Sequence, residues 1–362
     1  MKFLTSLLLA FISTISIAQV QFEKTLEDAF TKAKAENKLV FIDYYNSECS
    51  ICQQVEPMFD IKEIGDFYNT HFVGFKINTN SYLSRKDVDF IIQKGLRIDG
   101  VPKFIFFDYN QNFIHYSGIA PDIKSFFDVA EAAIDPAKQL SKTPELYKAG
   151  DRSLKLLYAY SSYALLFDEH ELANQISDDL FEVFPKENLN NLSSYFLLKN
   201  AVFTTDNGFF QHWINNLDKL KDFETGYKKG KEKEQLERII ALDLNDKNRV
   251  WTTQNLLQLR KYMELVRYSS NIDMILWEKE LNAFVKENKT SEANALLKKI
   301  ISKQKSEKPI ILYAFKHFLR TVKNEENINF AYAEIQTILN QHQNPATQEE
   351  KDFIEKLNQL LE

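Results

Sequence analysis

Two cysteines occur in 362 residues, and only Ser50 and Ile51 separate them, as Cys49-Ser50-Ile51-Cys52. A pair spaced in this way is half a zinc site, a structural disulfide, or a thiol pair that exchanges electrons with other disulfides. Zinc needs two further ligands. There is no third cysteine, and His71 and His115 stand at no ligand-like spacing, so no metal is expected. A structural bond across so short a loop constrains little chain entropy. The redox reading accounts for the neighbours. An apolar run over residues 38–45 leads straight into the motif, and a helical pattern opens at Cys49. A cysteine at a helix N-terminus meets unpaired N–H groups and the positive end of the helix dipole, which favour thiolate over thiol. Such placement lowers a cysteine pKa from about 8.5 to roughly 3.5–7.5. Cys52, one turn in, is expected to be more buried and to remain a thiol until it is needed.

The elements that must hold this pair follow from periodicity. Apolar or small residues at Phe22, Leu26, Ala29, Phe30 and Ala33 predict a helix over residues 22–36, and residues 38–45 predict a buried strand. Residues 49–67 read as a helix kinked by Pro57, and residues 71–78 as a second strand. A helix over 84–94 ends at Gly95, strands at 102–107 and 113–117 flank a turn, and a helix covers 122–134. The order α-β-α-β-α-β-β-α is that of an α/β domain with a mixed sheet. After Asp135-Pro136 the strand signal ends. Helices are expected at 154–167 and 169–184, paired around Asp168, then at 189–203 and 208–223. A charged, glycine-containing loop at 226–233 precedes helices at 234–244, 253–266, 273–287, 291–303, 310–322, 328–342 and 348–361. Helix pairs of about 35–40 residues predict a helical-hairpin stack. Its tetratricopeptide signature is thin, because Ala173 and Pro185 fit but the Gly and Tyr of a first helix are missing.

Over residues 20–135 the chain resembles the thioredoxin family. Cys49 and Cys52 match its redox pair, Asp43 a buried Asp on the preceding strand, and Pro57 the proline of its active-site helix. Val101-Pro102 matches the cis-proline loop that faces the sulfurs, and Gly118 a glycine near the end of the last strand. The resemblance implies catalytic roles for Cys49, Cys52 and Asp43, and substrate binding at Val101 and Pro102. Cys49 would attack, Cys52 would resolve, and Asp43, its pKa raised by its apolar flanks, would take and return the Cys52 proton. It implies protein thiols and disulfides as partners, together with an electron donor or acceptor, and no cofactor.

Three departures bear on substrate and potential. Glu48 stands where the family has Trp, Ser50-Ile51 replaces Gly-Pro, and Arg97-Ile98-Asp99 lengthens the approach to Gly100. Glu48 opposes thiolate formation and no histidine lies between the cysteines, which argues for a reducing or intermediate potential. Lys103 is placed to offset Glu48.

Composition bounds the rest. A net charge of −6 leaves no basic footprint for nucleic acid, and nine Gly with eight Pro are too few for an all-β architecture. Residues 1–18 have one cation, an apolar run and the exit Ser16-Ile17-Ala18, which predicts a signal peptide cleaved before Gln19. Export follows from that pattern, and together with the resemblance it implies the bacterial periplasm or cell envelope, with membrane contact only during export. The expected organisation is a signal peptide over 1–18, a thioredoxin-like α/β domain over 19–136, and an all-α repeat-like domain over 137–362. A competing reading is a non-catalytic interaction module on the same scaffold, in which the cysteine pair is a static bond.

Overall fold

The computed structural model describes residues 19–224, 230–268, 271–304, 307–342, 345 and 347–362. The expected signal segment at 1–18 and residues 226–229 of the charged loop lie outside the described residues. The chain forms two compact units, Met1–Pro185 and Lys186–Glu362.

In the first unit, α1 (Leu26–Glu36) leads to β1 (Leu39–Tyr45), and α2 (Ser50–Val55) follows the cysteine loop. Then come α3 (Lys62–His71), β2 (Phe72–Asn78), α4 (Arg85–Gln93), β3 (Lys103–Phe107), β4 (Phe113–Gly118) and α5 (Ile123–Ile134). The sheet order is β2-β1-β3-β4. β1 runs parallel to β2 and antiparallel to β3, and β3 runs antiparallel to β4. Side chains alternate across a strand, so β1 and β3 feed two cores. Phe41, Phe104 and Phe106 pack with Phe59, Ile64, Tyr68 and Phe126. Val40, Ile42, Ile105 and Phe107 pack on the other face with Ala29, Phe30, Ala33 and Ile91. Both faces of the sheet are covered, which is why β1 reads as a continuous apolar run around one aspartate.

The helix expected over 49–67 is interrupted instead of kinked. A 3-10 segment, Glu56–Asp60, separates α2 from α3. Pro57 lacks an N–H, so the α ladder stops there and tighter turns take over.

The sheet-bearing part ends near residue 135, but the compact unit continues to Pro185. It takes in α6 (Thr143–Lys148), α7 (Leu154–Leu166) and α8 (His170–Val183). Leu166 joins the second core. The Phe167 ring meets Phe113 of β4 edge-on at 5.5 Å, and Arg97 N donates to Leu166 O at 2.6 Å. The hairpin is attached to the sheet-bearing part through side chains distant in sequence.

The second unit is all-helical, with no strand among its described residues. It comprises α9 (Leu192–Ala201), α10 (Gly208–Ile214), α11 (Lys233–Asn245), α12 (Thr253–Val266), α13 (Ile272–Lys286), α14 (Thr290–Lys303), α15 (Lys308–Thr321), α16 (Glu325–Gln341) and α17 (Gln348–Asn358). Successive helices pack together, and α13 also meets α15, α14 meets α16 and α15 meets α17. That alternation is the pattern of stacked hairpins. From α13 to α17 a shared core holds Trp277, Leu297, Phe315, Phe318, Ile335 and Leu357. The helix expected over 208–223 stops at Ile214. Asn215 and Asn216 turn their amides back onto the Gln211 and His212 carbonyls, and asparagine competes poorly as a helix residue.

Candidate active site

β1 delivers the chain to the cysteines. Beyond Tyr45, Asn46 Oδ1 accepts from Glu48 N at 2.8 Å, and Cys49 N donates to Asn46 O at 3.1 Å. This asparagine turn reverses the backbone so that Cys49 becomes the N-cap of α2, with extended φ −76° and ψ 120°. The Cys49 sulfur accepts from Cys52 N at 3.3 Å, the task an oxygen performs in an ordinary cap. Gln53 Nε2 donates to Ser47 O at 2.9 Å and holds the loop from the helix side.

This seat differentiates two chemically identical groups. Both are free thiols; Cys49 is half-buried and Cys52 buried. Hydrogen bonding from the Cys52 side chain, helped by the N–H groups of Cys52 and Ile51, lowers the Cys49 pKa. Burial pushes the Cys52 thiol up to about 11, and the nearby Cys49 and Asp43 charges add to the effect.

The other expected site residues converge on this pair. The Val101-Pro102 peptide is cis, and Val101 O lies 3.8 Å from the Cys49 sulfur. Pro102 is buried and leads into β3. Asp43 lies beneath, 2 % exposed. Burial pushes its carboxyl up to about 7, against the pull of the Lys76 charge and with a small addition from Glu56. Its Oδ1 has no hydrogen-bond partner.

A family of thioredoxin-like domains matches residues 26–133. These residues are a thioredoxin-like domain. Seven solved chains also match. One of them, titled "DsbH Oxidoreductase", is 18% identical, with alignment over 36% of this chain and 94% of that one, at a TM-score of 0.29. No curated protein sequence matches the chain.

The thioredoxin-like domain holds two functional candidates that the sequence reading passed over. The parallel register pairs Asp43 with Lys76 of β2, and Lys76 Nζ is 3.8 Å from Asp43 Oδ2. Glu56 receives the same ammonium at 2.5 Å through each carboxylate oxygen. The available signal was one cation inside the otherwise apolar run of residues 72–77. Lys103 does not answer Glu48 as its position suggested. Its ammonium lies over the Tyr116 ring, 5.2 Å from the centroid, with Asp99 as its charged neighbour.

The two histidines weighed as ligands are engaged elsewhere. His71 packs on Phe67 at 4.7 Å, and His115 Nδ1 accepts from Leu140 N at 3.2 Å. Among the described residues no group of three or more His, Cys, Asp or Glu is arranged to hold a metal. Nor is any described helix long and apolar enough to cross a membrane.

Proposed function

We propose that the protein is a thiol–disulfide oxidoreductase that reduces or exchanges protein disulfides through Cys49 and Cys52. The carrying observation is the asymmetry of the pair. One sulfur is accessible and fed by backbone N–H groups, while the other is buried and holds its proton.

The Cys49 thiolate attacks one sulfur of a substrate disulfide. A Cys49–substrate bond forms, the substrate S–S bond breaks, and the departing sulfur leaves as a thiolate that takes up a proton. Cys52 gives its proton to Asp43, and its sulfur attacks Cys49. The mixed disulfide breaks, the second substrate sulfur departs, and a Cys49–Cys52 bond remains. The substrate gains two electrons and the protein loses two, which a dithiol donor must restore. Asp43 suits the proton transfer because a carboxyl near 7 accepts and releases protons at neutral pH. Val101 and Pro102 place backbone beside the attacking sulfur, where an extended substrate segment can lie.

The cell-envelope location rests on the signal-like pattern of residues 1–18. The second unit is assigned partner binding, since helical-hairpin stacks offer extended protein-binding surfaces.

The test is disulfide reductase turnover of the full chain beside Cys49→Ser and Cys52→Ser. Both variants should lose turnover, and Cys52→Ser should accumulate a mixed disulfide. Turnover that survives in Cys49→Ser would overturn the assignment, and no turnover in the native chain would favour a non-catalytic interaction scaffold.

A further inference from the structure

We infer that Glu56 is a positioning residue for the proton relay: by taking the Lys76 ammonium on both carboxylate oxygens, it keeps that ammonium from bonding Asp43. The inference rests on the proposed redox function for its consequence, though its geometry and first test do not.

Lys76 lies between two carboxylates and divides itself unequally. It is 2.5 Å from both Glu56 oxygens and 3.8 Å from Asp43 Oδ2. The first contacts are charge-assisted hydrogen bonds, whereas the second is beyond hydrogen-bond range and acts only as a field. The position is held from three further sides. Nζ sits 4.6 Å over the Phe22 and Phe59 rings and 5.5 Å from that of Tyr45. Glu56 closes α2 in helical backbone geometry, its N–H bonded back to the Cys52 carbonyl, and stands immediately before Pro57 of the 3-10 segment.

The other groups facing Asp43 do not replace the missing bond. α2 presents Cys52, α3 presents Tyr68, and β1 itself presents Tyr45. From β3 the register partner is Phe104, which carries no charge. Asp43 Oδ1 is left without a partner. A buried carboxyl that lacks both a hydrogen bond and a full counter-charge retains its proton to higher pH, which is what a base for the Cys52 thiol requires. With Glu56 neutral, Lys76 is free to close on Asp43. It would then hold Asp43 ionised as a weaker base.

The test follows the Asp43 carboxyl by carbon-13 NMR titration of the reduced full chain, with its resonance assigned by its loss in Asp43→Asn. Glu56 is more than half exposed, so Glu56→Gln leaves the core intact. That variant should lower the Asp43 midpoint by on the order of one pH unit. Lys76→Met should raise the midpoint, and Glu56→Gln should have a much smaller effect in a Lys76→Met background. The pH at which the mixed disulfide resolves should fall with the carboxyl midpoint. An unchanged or raised midpoint in Glu56→Gln would overturn the inference. So would an equal shift with and without Lys76, since Glu56 would then act by its own field. Should the midpoint fall as expected while turnover proves independent of Cys49, the positioning role stands and the proposed enzyme function does not.

Discussion

The Cys49 sulfur caps the helix that contains Cys52, by accepting the Cys52 N–H at 3.3 Å. One contact therefore bears on both thiols. It stabilises charge on Cys49, and the helix it starts carries Cys52 into the interior, where charge is disfavoured.

Alkylation should accordingly be selective. At pH 7 iodoacetamide should modify Cys49 and spare Cys52, as read by mass spectrometry of the digested chain. Thiolate absorbance should rise in two steps, the first below the ordinary cysteine value and the second near pH 11. Equal labelling of the two cysteines in the folded protein would contradict the geometry.

Two buried groups should impose opposite pH slopes on the stability of the first unit. The Asp43 carboxyl is pushed up to about 7 in the fold, against about 3.9 in an unfolded chain. Its contribution is present below pH ~4 and is lost as pH rises through 7. The His115 imidazole is pushed down to about 4 by burial, against about 6.5 unfolded. Its contribution is present above pH ~6.5 and is lost as pH falls through 4. Denaturant melts between pH 4 and 7 should be nearly flat for the native sequence. Asp43→Asn should gain stability with rising pH, and His115→Asn should lose it. Parallel profiles for all three would refute this account.

Gly74 is set by a close approach, not by its own backbone angles. A Cβ there would lie 2.5 Å from Gln21 O and 3.0 Å from the Phe22 ring. Gly74→Ala must displace the segment whose Glu23 N–H bonds Gly74 O at 2.8 Å. A cost of about 1–3 kcal/mol is expected. Hydrogen exchange should accelerate at the Glu23 and Val20 amides ahead of the sheet amides, and unchanged exchange there would count against the contact.

In the second unit, Asp243 is buried and accepts from Thr205 N at 3.0 Å, while Arg249 Nη1 lies 3.0 Å from its other oxygen. Arg249 also rests on Trp251, 4.5 Å from the ring centroid. Arg249→Met leaves a buried carboxylate without its counter-charge and should cost about 3 kcal/mol. Adding Asp243→Asn should recover part of that loss. Urea unfolding of the full chain, followed by Trp fluorescence, measures both, and additive costs in the double variant would argue against the pair.

Much of this protein is local and was therefore legible in its residues. Helix 253–266 begins on the Thr252 capping box and ends where the sequence places it. The cysteine spacing, the apolar flanks of Asp43 and Val101-Pro102 each pointed to the proposed chemistry within a few residues of chain. Tertiary structure decided what depended on distant partners. Pro57 broke the helix, and Glu56, just before the break, met Lys76 of β2. Parallel pairing put Lys76 beside Asp43, and Phe113 drew the first helical hairpin into the sheet-bearing unit through Phe167. Periodicity reports which face of an element is apolar. Strand register and packing determine which charge meets which, and at Asp43 the Lys76 charge moderates a proton affinity that burial raises.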